Sequence, residues 1–444
     1  MEYGARSKTP KVKKGESFSS GSSSTVIIGH GLAGRETAKM LLASKADTSI
    51  TVIEANDYYE SDICGPKSLS SPSLYTKNFS APQYQLAIEG VEYVTAKVLD
   101  ITKKEGGDGY SVKTSTGASI PATAVVVCTG FSSGLIKPAV GSLWEDRKKE
   151  LDEHRKAIAA ADNVIIAGGG AVGVDINGEV LGMLKPAGRI THVVTDTVLM
   201  TPRHSEEERR LVTERIEGFP NVDVLFSDRV VEGGGKDAVF EEKKKYKLKS
   251  GKEVVADVYI PAFAVFDRAE FLRSTEGALA PNGRVAVNKE TLMSDKLFNV
   301  YAVGGCADNG EMSSIPKIEA QAASVVKNLA HTLAGGEPKH KHREGLPWMQ
   351  AEVMVPHGDW GMVAVDGVPA VGKACLRCLG FPLPCLLGPC VAVCGVCGTS
   401  CKRPVGSGPG GFWQFALNMG PFGPVLGKAD KKRQPPAQNE MKRE

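Results

Sequence analysis

Two short glycine turns carry the chemistry open to this chain. The first, Gly29-His30-Gly31-Leu32-Ala33-Gly34, lies between the apolar run Thr25–Gly29 and a helical stretch, Arg35–Ser44. In such a turn Gly29 permits the tight reversal, Gly31 lets the backbone approach a pyrophosphate, and Gly34 lets the helix pack on the strand. The helix N-terminus then presents its free N–H groups to the phosphates. Glu54 closes the next strand, Ser49–Glu54, twenty residues past Gly34. A carboxylate there can accept both hydroxyls of a ribose. The second turn, Gly168-Gly169-Gly170-Ala171-Val172-Gly173, joins the strand Asn163–Gly168 to the helix Gly173–Leu184. In the strand that follows, Arg189–Thr195, Val194 occupies the acidic position, and Asp196 two places on is its substitute. No arginine follows directly to grip a 2′-phosphate, so NADH and NADPH both stay open. The plain alternative at this second turn is a glycine reversal with no ligand. Two dinucleotide sites in one chain suit hydride passage from a nicotinamide to the flavin of FAD. The cofactors make the bonds, and the protein positions and insulates them.

The elements that must hold these turns alternate short β-branched runs with helices, which reads as α/β. The expected architecture is two Rossmann-like dinucleotide-binding domains of the three-layer ββα type, with a small C-terminal domain. Residues 25–140 form the first part of the FAD-binding domain and 141–162 a linking helix. Residues 163–263 form the NAD(P)H-binding domain, 264–338 the second part of the FAD-binding domain, and 339–444 the C-terminal region. Val91–Ile101 and Tyr110–Thr114 read as antiparallel strands, Glu241–Lys249 as a solvated hairpin, and Lys317–Ala334 as a long helix.

Composition narrows the class. A chain of 444 residues has room for about three domain-sized units. A net charge of +3 lacks the basic face of a nucleic-acid binder. Three of the ten cysteines are scattered and seven crowd into Cys375–Cys401, which is not the spread of a secreted disulfide scaffold. With no secretory apolar segment at the start, the reading is a reducing, intracellular protein: cytoplasmic, in contact with membrane, or alternatively mitochondrial. Residues 1–24 read as a basic, Ser-rich disordered arm, with an organelle-targeting segment as the alternative. Glu2 excludes N-myristoylation if Met1 is the start. Within the cysteine-rich segment, Cys375, Cys378, Cys394 and Cys397 have spacing that a structural zinc site allows. Its apolar, uncharged interior favours a peripheral membrane element acylated on several cysteines, flanked by Lys373, Lys402 and Arg403. An ordinary apolar tail is the third reading.

On these motifs the chain resembles the pyridine nucleotide oxidoreductases, in particular the apoptosis-inducing-factor homologues of the ferroptosis-suppressor type, from about Thr25 to Gly372. The resemblance places the FAD turn on Gly29–Gly34 with Glu54, a cofactor-contacting base on Lys67 after Asp57-Tyr58-Tyr59, and the adenine-contacting strand residue on Val98. It places a second FAD-side turn on Val125–Gly130 and the nicotinamide motif on Gly168–Gly173, continuing to Asp175 and Glu179. A late motif falls on Tyr301–Asp308, with Lys317 after it. Gly305 stands where relatives carry an aspartate for the ribityl chain, which leaves a backbone N–H and no carboxylate; Asp308 would need a changed loop to substitute. The resemblance implies an FAD-dependent NAD(P)H oxidoreductase with a quinone as acceptor. A monodehydroascorbate- or ferredoxin-type reductase is the alternative, and a nucleotide-binding redox sensor or scaffold without turnover is the reading from another class. A disulfide reductase is set aside, because Cys64 stands alone where a pair is required. No protein nucleophile, acid or base is expected.

Overall fold

The computed structural model describes residues 23–61, 64–104, 109–202, 204, 206–311, 314–343, 351–357, 360–365 and 368–371. Most of the N-terminal arm and all of Cys375–Cys401, with the zinc and acylation readings placed there, lie outside the described residues.

Two parallel sheets organise the chain. The first has five strands in the order Val300–Ala302, Ala124–Val127, Ser23–Ile28, Thr48–Glu54, Glu92–Thr95. Its central strands read as unbroken apolar runs (Val26-Ile27, Val125-Val126-Val127) because both faces are covered. The helices Leu32–Ala43 and Ile315–Leu333 pack together on this unit. A three-stranded antiparallel sheet, Val98–Lys103, Tyr110–Thr114 and Ser119–Ala122, adds Val98, Ile101 and Val112 to the same core.

One expectation is corrected here. Val91–Ile101 is not a single antiparallel strand. Its first half pairs in parallel with the strand of Glu54 (Glu54 opposite Thr95), and Ala96 hydrogen-bonds back to the Glu54 carbonyl. The chain then turns, and Val98–Lys103 pairs with Tyr110–Thr114. A β-branched run records the wish to be a strand but not which partner claims each half.

The second sheet runs Val222–Leu225, Arg189–Val193, Asn163–Ala167, Glu253–Pro261, Val239–Leu248, Val230–Glu232. The first four strands are mutually parallel, and the hairpin beyond them is antiparallel. The charge run Glu241–Lys249 lies mostly in the strand Val239–Leu248. Its lysines face water while Tyr246 and Leu248 are buried, the alternation of a one-sided strand.

The linking helix, Trp144–Ala160, is bolted to the first unit by a buried ion pair. Arg147 reaches both carboxylate oxygens of Glu60 at 3.2 Å and the Leu135 carbonyl at 2.9 Å, and Tyr75 donates to the same carboxylate at 2.9 Å. Burial alone would lower the Arg147 pKa, but Glu60 and Glu150 raise it above the usual arginine range. Further on, Ala351–His357, Trp360–Val365 and Val368–Val371 form a three-stranded antiparallel sheet. Among the described residues no helix is long and apolar enough to cross a membrane.

Candidate functional site

The first glycine turn is built by contacts that leave no choice of residue at two positions. Gly29 has φ +100°, and a Cβ there would lie 2.6 Å from the Cys128 carbonyl oxygen. A Cβ on Gly34 would overlap the carbonyl oxygen of Gly29 itself, so the helix sits against the strand end with no room to spare. Gly31 differs, because a Cβ there meets no protein atom within 4 Å. The space in front of Gly31 is therefore open to a ligand, at the N-terminus of Leu32–Ala43, where helix-end N–H groups favour an anion. Glu54 closes the arrangement. Its Oε2 accepts the His30 N–H at 2.6 Å and its Oε1 the Asn56 N–H at 3.0 Å, which leaves acceptor capacity on both oxygens for ribose hydroxyls.

These residues open on a cleft of about 750 Å³. Gly29, His30, Gly31, Leu32, Ala33, Glu54, Val98, Gly130 and Gly305 all line it. Gly34 stands just behind, as the packing contact. Gly305 is outside the left-handed region, unlike Gly304 at φ +83°. Asp308 does not line the cleft, and its carboxylate accepts from Asn282 at 2.9 Å, so it does not replace a carboxylate at 305. His30 places its ring between Gln83, which bonds Nδ1, and the edge of Tyr93, at 5.0 Å between centroids. Burial drives its pKa down to about 4, so the imidazole is neutral at physiological pH. Two cations in the wall carry no sequence motif. Lys137 lies 4.0 Å over the Phe131 ring, and Arg268 is held by Ser132 Oγ at 3.1 Å and the Pro138 carbonyl at 2.6 Å. The cleft, the open approach at Gly31, the carboxylate and these cations fit FAD.

Two assigned residues fall elsewhere. Lys67 does not reach the cleft. It pairs with Glu179 at 3.0 Å, joined by Ser70 on the same carboxylate, and so ties Gly65–Ser70 to the helix Ala171–Met183 of the second unit. Glu179 takes it because a half-buried ammonium needs a carboxylate partner. Lys317 also lies outside the cleft wall, although its neighbour Ile318 is part of it.

The second turn repeats the construction. Gly168 has φ +129°, and a Cβ on Gly173 would overlap its carbonyl oxygen. Gly170 is the N-cap of Ala171–Met183. Behind the turn His192, its pKa lowered to about 4 by burial, donates from Nε2 to the Gly168 carbonyl at 2.9 Å and accepts from Asn177 on Nδ1. Sequence reasoning missed this support, since a single histidine in a strand has no spacing signature. The acidic position differs from that of the first turn. Gly168 N–H bonds Val193 O at 2.9 Å just as Gly29 N–H bonds Ile53 O at 2.8 Å, so Val194 is the counterpart of Glu54. Its side chain is buried, and a Cβ on Gly169 would overlap it. Asp196 stands at the exposed edge, where Arg209, arriving from the helix Glu206–Glu217, meets it at 2.8 Å.

Against known proteins, the family model for pyridine nucleotide-disulphide oxidoreductases matches residues 23–324. The chain belongs to that family. Membership makes it an oxidoreductase that uses FAD and NAD(P)H. It is similar to the FAD-dependent oxidoreductase FVFD30 of Flammulina velutipes, 26% identical over 56% of this chain and 75% of that one. Ferroptosis suppressor protein 1 of Taeniopygia guttata is 22% identical over 70% and 82%. Among solved structures, the sulfide:quinone oxidoreductase of Aquifex aeolicus superposes with a TM-score of 0.60, covering 79% of this chain and 87% of that one at 17% identity.

Two tests follow from the geometry. Burial raises the Glu54 pKa above the ordinary carboxylate range, against the hydrogen bonds from His30 and Asn56. Ribose hydroxyls prefer the ionised form, so FAD affinity is full above the raised pKa and falls as pH drops through it. The loss begins at a higher pH than an exposed carboxylate would give. Glu54→Gln removes charge-assisted bonds worth roughly 1.5–3 kcal/mol, about 10–150-fold in Kd, and flattens the pH dependence. FAD titrations across pH on both proteins check this, and an unchanged Kd in Glu54→Gln would count against the ribose role. The second test concerns Asp175, whose Oδ1 is buried with no hydrogen-bond partner among the described residues. Burial, then Glu179, raises its pKa well above the usual value. The wild type therefore loses stability as pH rises from the unfolded value near 4 toward the raised folded pKa, by about 1.4 kcal/mol per unit. Asp175→Asn escapes that loss, so its advantage in chemical denaturation should open above about pH 4 and widen with pH. A pH-independent difference would refute it.

Proposed function

We propose that this oxidoreductase passes the electrons of NAD(P)H through FAD to a quinone. The observation that carries the reading is the thiol inventory. Before Cys128 the sequence holds the single Cys64, and Cys64, Cys128 and Cys306 are buried thiols outside any disulfide. Burial also pushes the Cys128 and Cys306 thiols up, away from the reactive thiolate. Among the described residues no pair of thiols lies together to relay electrons, which favours an acceptor that reaches the flavin itself. The likeness to a ferroptosis suppressor protein and to a solved sulfide:quinone oxidoreductase supports a quinone in that role.

Bound FAD would supply the hydride acceptor for the nicotinamide and the outlet for its electrons. The chain's part is binding and exclusion. Glu54 orients a ribose, the N-terminus of Leu32–Ala43 faces the phosphates, and Arg268 and Lys137 supply positive charge in a cleft walled by apolar strand ends. The segment Cys375–Cys401 is proposed to hold the protein at the membrane in which a quinone dissolves. A screen of quinones, ferricyanide, monodehydroascorbate and ferredoxin with both nicotinamides tests the reading. Quinone turnover well above the other physiological acceptors is expected. Ferricyanide reduction with no quinone turnover would end the proposal, and a colourless protein that cannot be reconstituted with FAD would point to a scaffold.

A further inference from the structure

A buried polar relay runs behind the cleft from residue 342 to the loop that faces the cofactor. Its centre is Gln321, on the helix Ile315–Leu333 and 1% exposed. The Gln321 amide oxygen accepts the Gly304 N–H at 2.8 Å, and its amide nitrogen donates to Glu311 Oε2 at 2.5 Å. The chemistry forces that orientation, since a backbone N–H can only donate and a carboxylate can only accept. The same carboxylate oxygen accepts from Asn309 at 2.8 Å and meets His342 Nε2 at 3.0 Å, while His342 Nδ1 lies 3.1 Å from Ser324 Oγ. The His342 and Glu311 side chains are 3% and 1% exposed. Burial works to raise the Glu311 pKa, but the donors, His342 foremost, hold it below the ordinary carboxylate range. At the other end, a Cβ on Gly304 would lie 3.2 Å from that of Ala33, so this loop abuts the first helical turn after Gly31. Gly304 and Gly305 both line the cleft.

We propose that Gln321 is a positioning residue for FAD, fixing the Gly304-Gly305 backbone as one wall of the cleft, and that Glu311 and His342 hold Gln321 in place. The chain past residue 338 thereby becomes part of the flavin-binding apparatus. Gln321 has a fixed donor and acceptor sense, and the carboxylate it donates to is held from the other side by Asn309 and His342, so loss of His342 loosens the support of Gln321. An apolar side chain at 321 strands the buried Gly304 N–H, and the loop must move to satisfy it. Such a movement displaces a wall without touching the core strands.

This inference rests on the assignment of the cleft to FAD, and the test separates the two. Full-length protein is stripped of flavin and titrated with FAD by fluorescence quenching, while melting of the flavin-free form reports the fold. Gln321→Met and His342→Ala should each raise the Kd for FAD about tenfold or more. Their flavin-free melting temperatures should stay close to wild type. His342→Gln, which keeps a donor toward Glu311, should recover most of the affinity. A wild-type Kd in Gln321→Met overturns the proposal, as does a His342→Gln protein no better than His342→Ala. If Gln321→Met fails to fold, the two His342 variants decide by the same comparison. Gly31→Val is the control. Normal FAD binding in that variant removes the cleft assignment and the relay with it. Lost binding in Gly31→Val beside an unchanged Gln321→Met removes the relay alone.

Discussion

Gly31→Val should weaken flavin binding severely and leave the flavin-free protein folded, whereas Gly34→Ala should damage the fold itself. The two glycines lie three residues apart in one turn, yet their surroundings differ in kind. A Cβ on Gly31 meets nothing of the protein within 4 Å, so a branched side chain there fills only the space a pyrophosphate would enter. A Cβ on Gly34 overlaps the Gly29 carbonyl oxygen and must push the helix off the strand. Overpacking of this sort costs about 1–3 kcal/mol, more where backbone must move. The expected result for Gly31→Val is a rise in FAD Kd of at least about 100-fold, on the order of 3 kcal/mol, with unchanged melting of the flavin-free form. Gly34→Ala should lower that melting temperature clearly. Flavin absorbance per chain together with thermal melting checks both, and a Gly31→Val protein purified fully yellow would remove the phosphate site from this turn.

Arg147→Met should destabilise the protein by about 3–5 kcal/mol, although the residue touches no nucleotide. Methionine keeps roughly the volume of the arginine stem, so the loss is chiefly electrostatic. Glu60 would remain buried, with the Tyr75 hydroxyl still donating to it. Adding Glu60→Gln removes the stranded charge and should restore more than half of the loss, since a well-packed neutral pair often matches a buried ion pair. Chemical denaturation of wild type, single and double variants measures the coupling. Equal midpoints for wild type and Arg147→Met would show that the pair contributes nothing to docking the linking helix.

What the sequence made legible is what short stretches encode. Both turns, with the strands before them and the helices after them, follow from glycine placement and β-branched runs within about thirty residues. The carboxylate at Glu54 was readable for the same reason, since a strand of fixed length carries it to the turn. What stayed hidden depends on partners far along the chain. Lys67 finds Glu179, Asp196 finds Arg209 on a separate helix, and Gly304 is held by Gln321, which in turn depends on Glu311 and His342. None of these pairings leaves a periodicity, because each is decided by how packed elements face one another. The fold of Val91–Ile101 into two different sheets was hidden likewise, as pairing and not propensity divides it.

The mismatch between Glu54 and Val194 in otherwise matching turns has a kinetic consequence. A dinucleotide at the first turn would meet a fixed carboxylate, and one at the second would find none there, Val194 being buried and Asp196 standing at the rim. The missing charge-assisted bond is worth roughly 1.5–3 kcal/mol, which corresponds to about 10–150-fold in dwell time if both ligands associate equally fast. One half of an apparent internal duplication is thereby suited to a lifelong tenant, and the other to a visitor that must depart once per turnover.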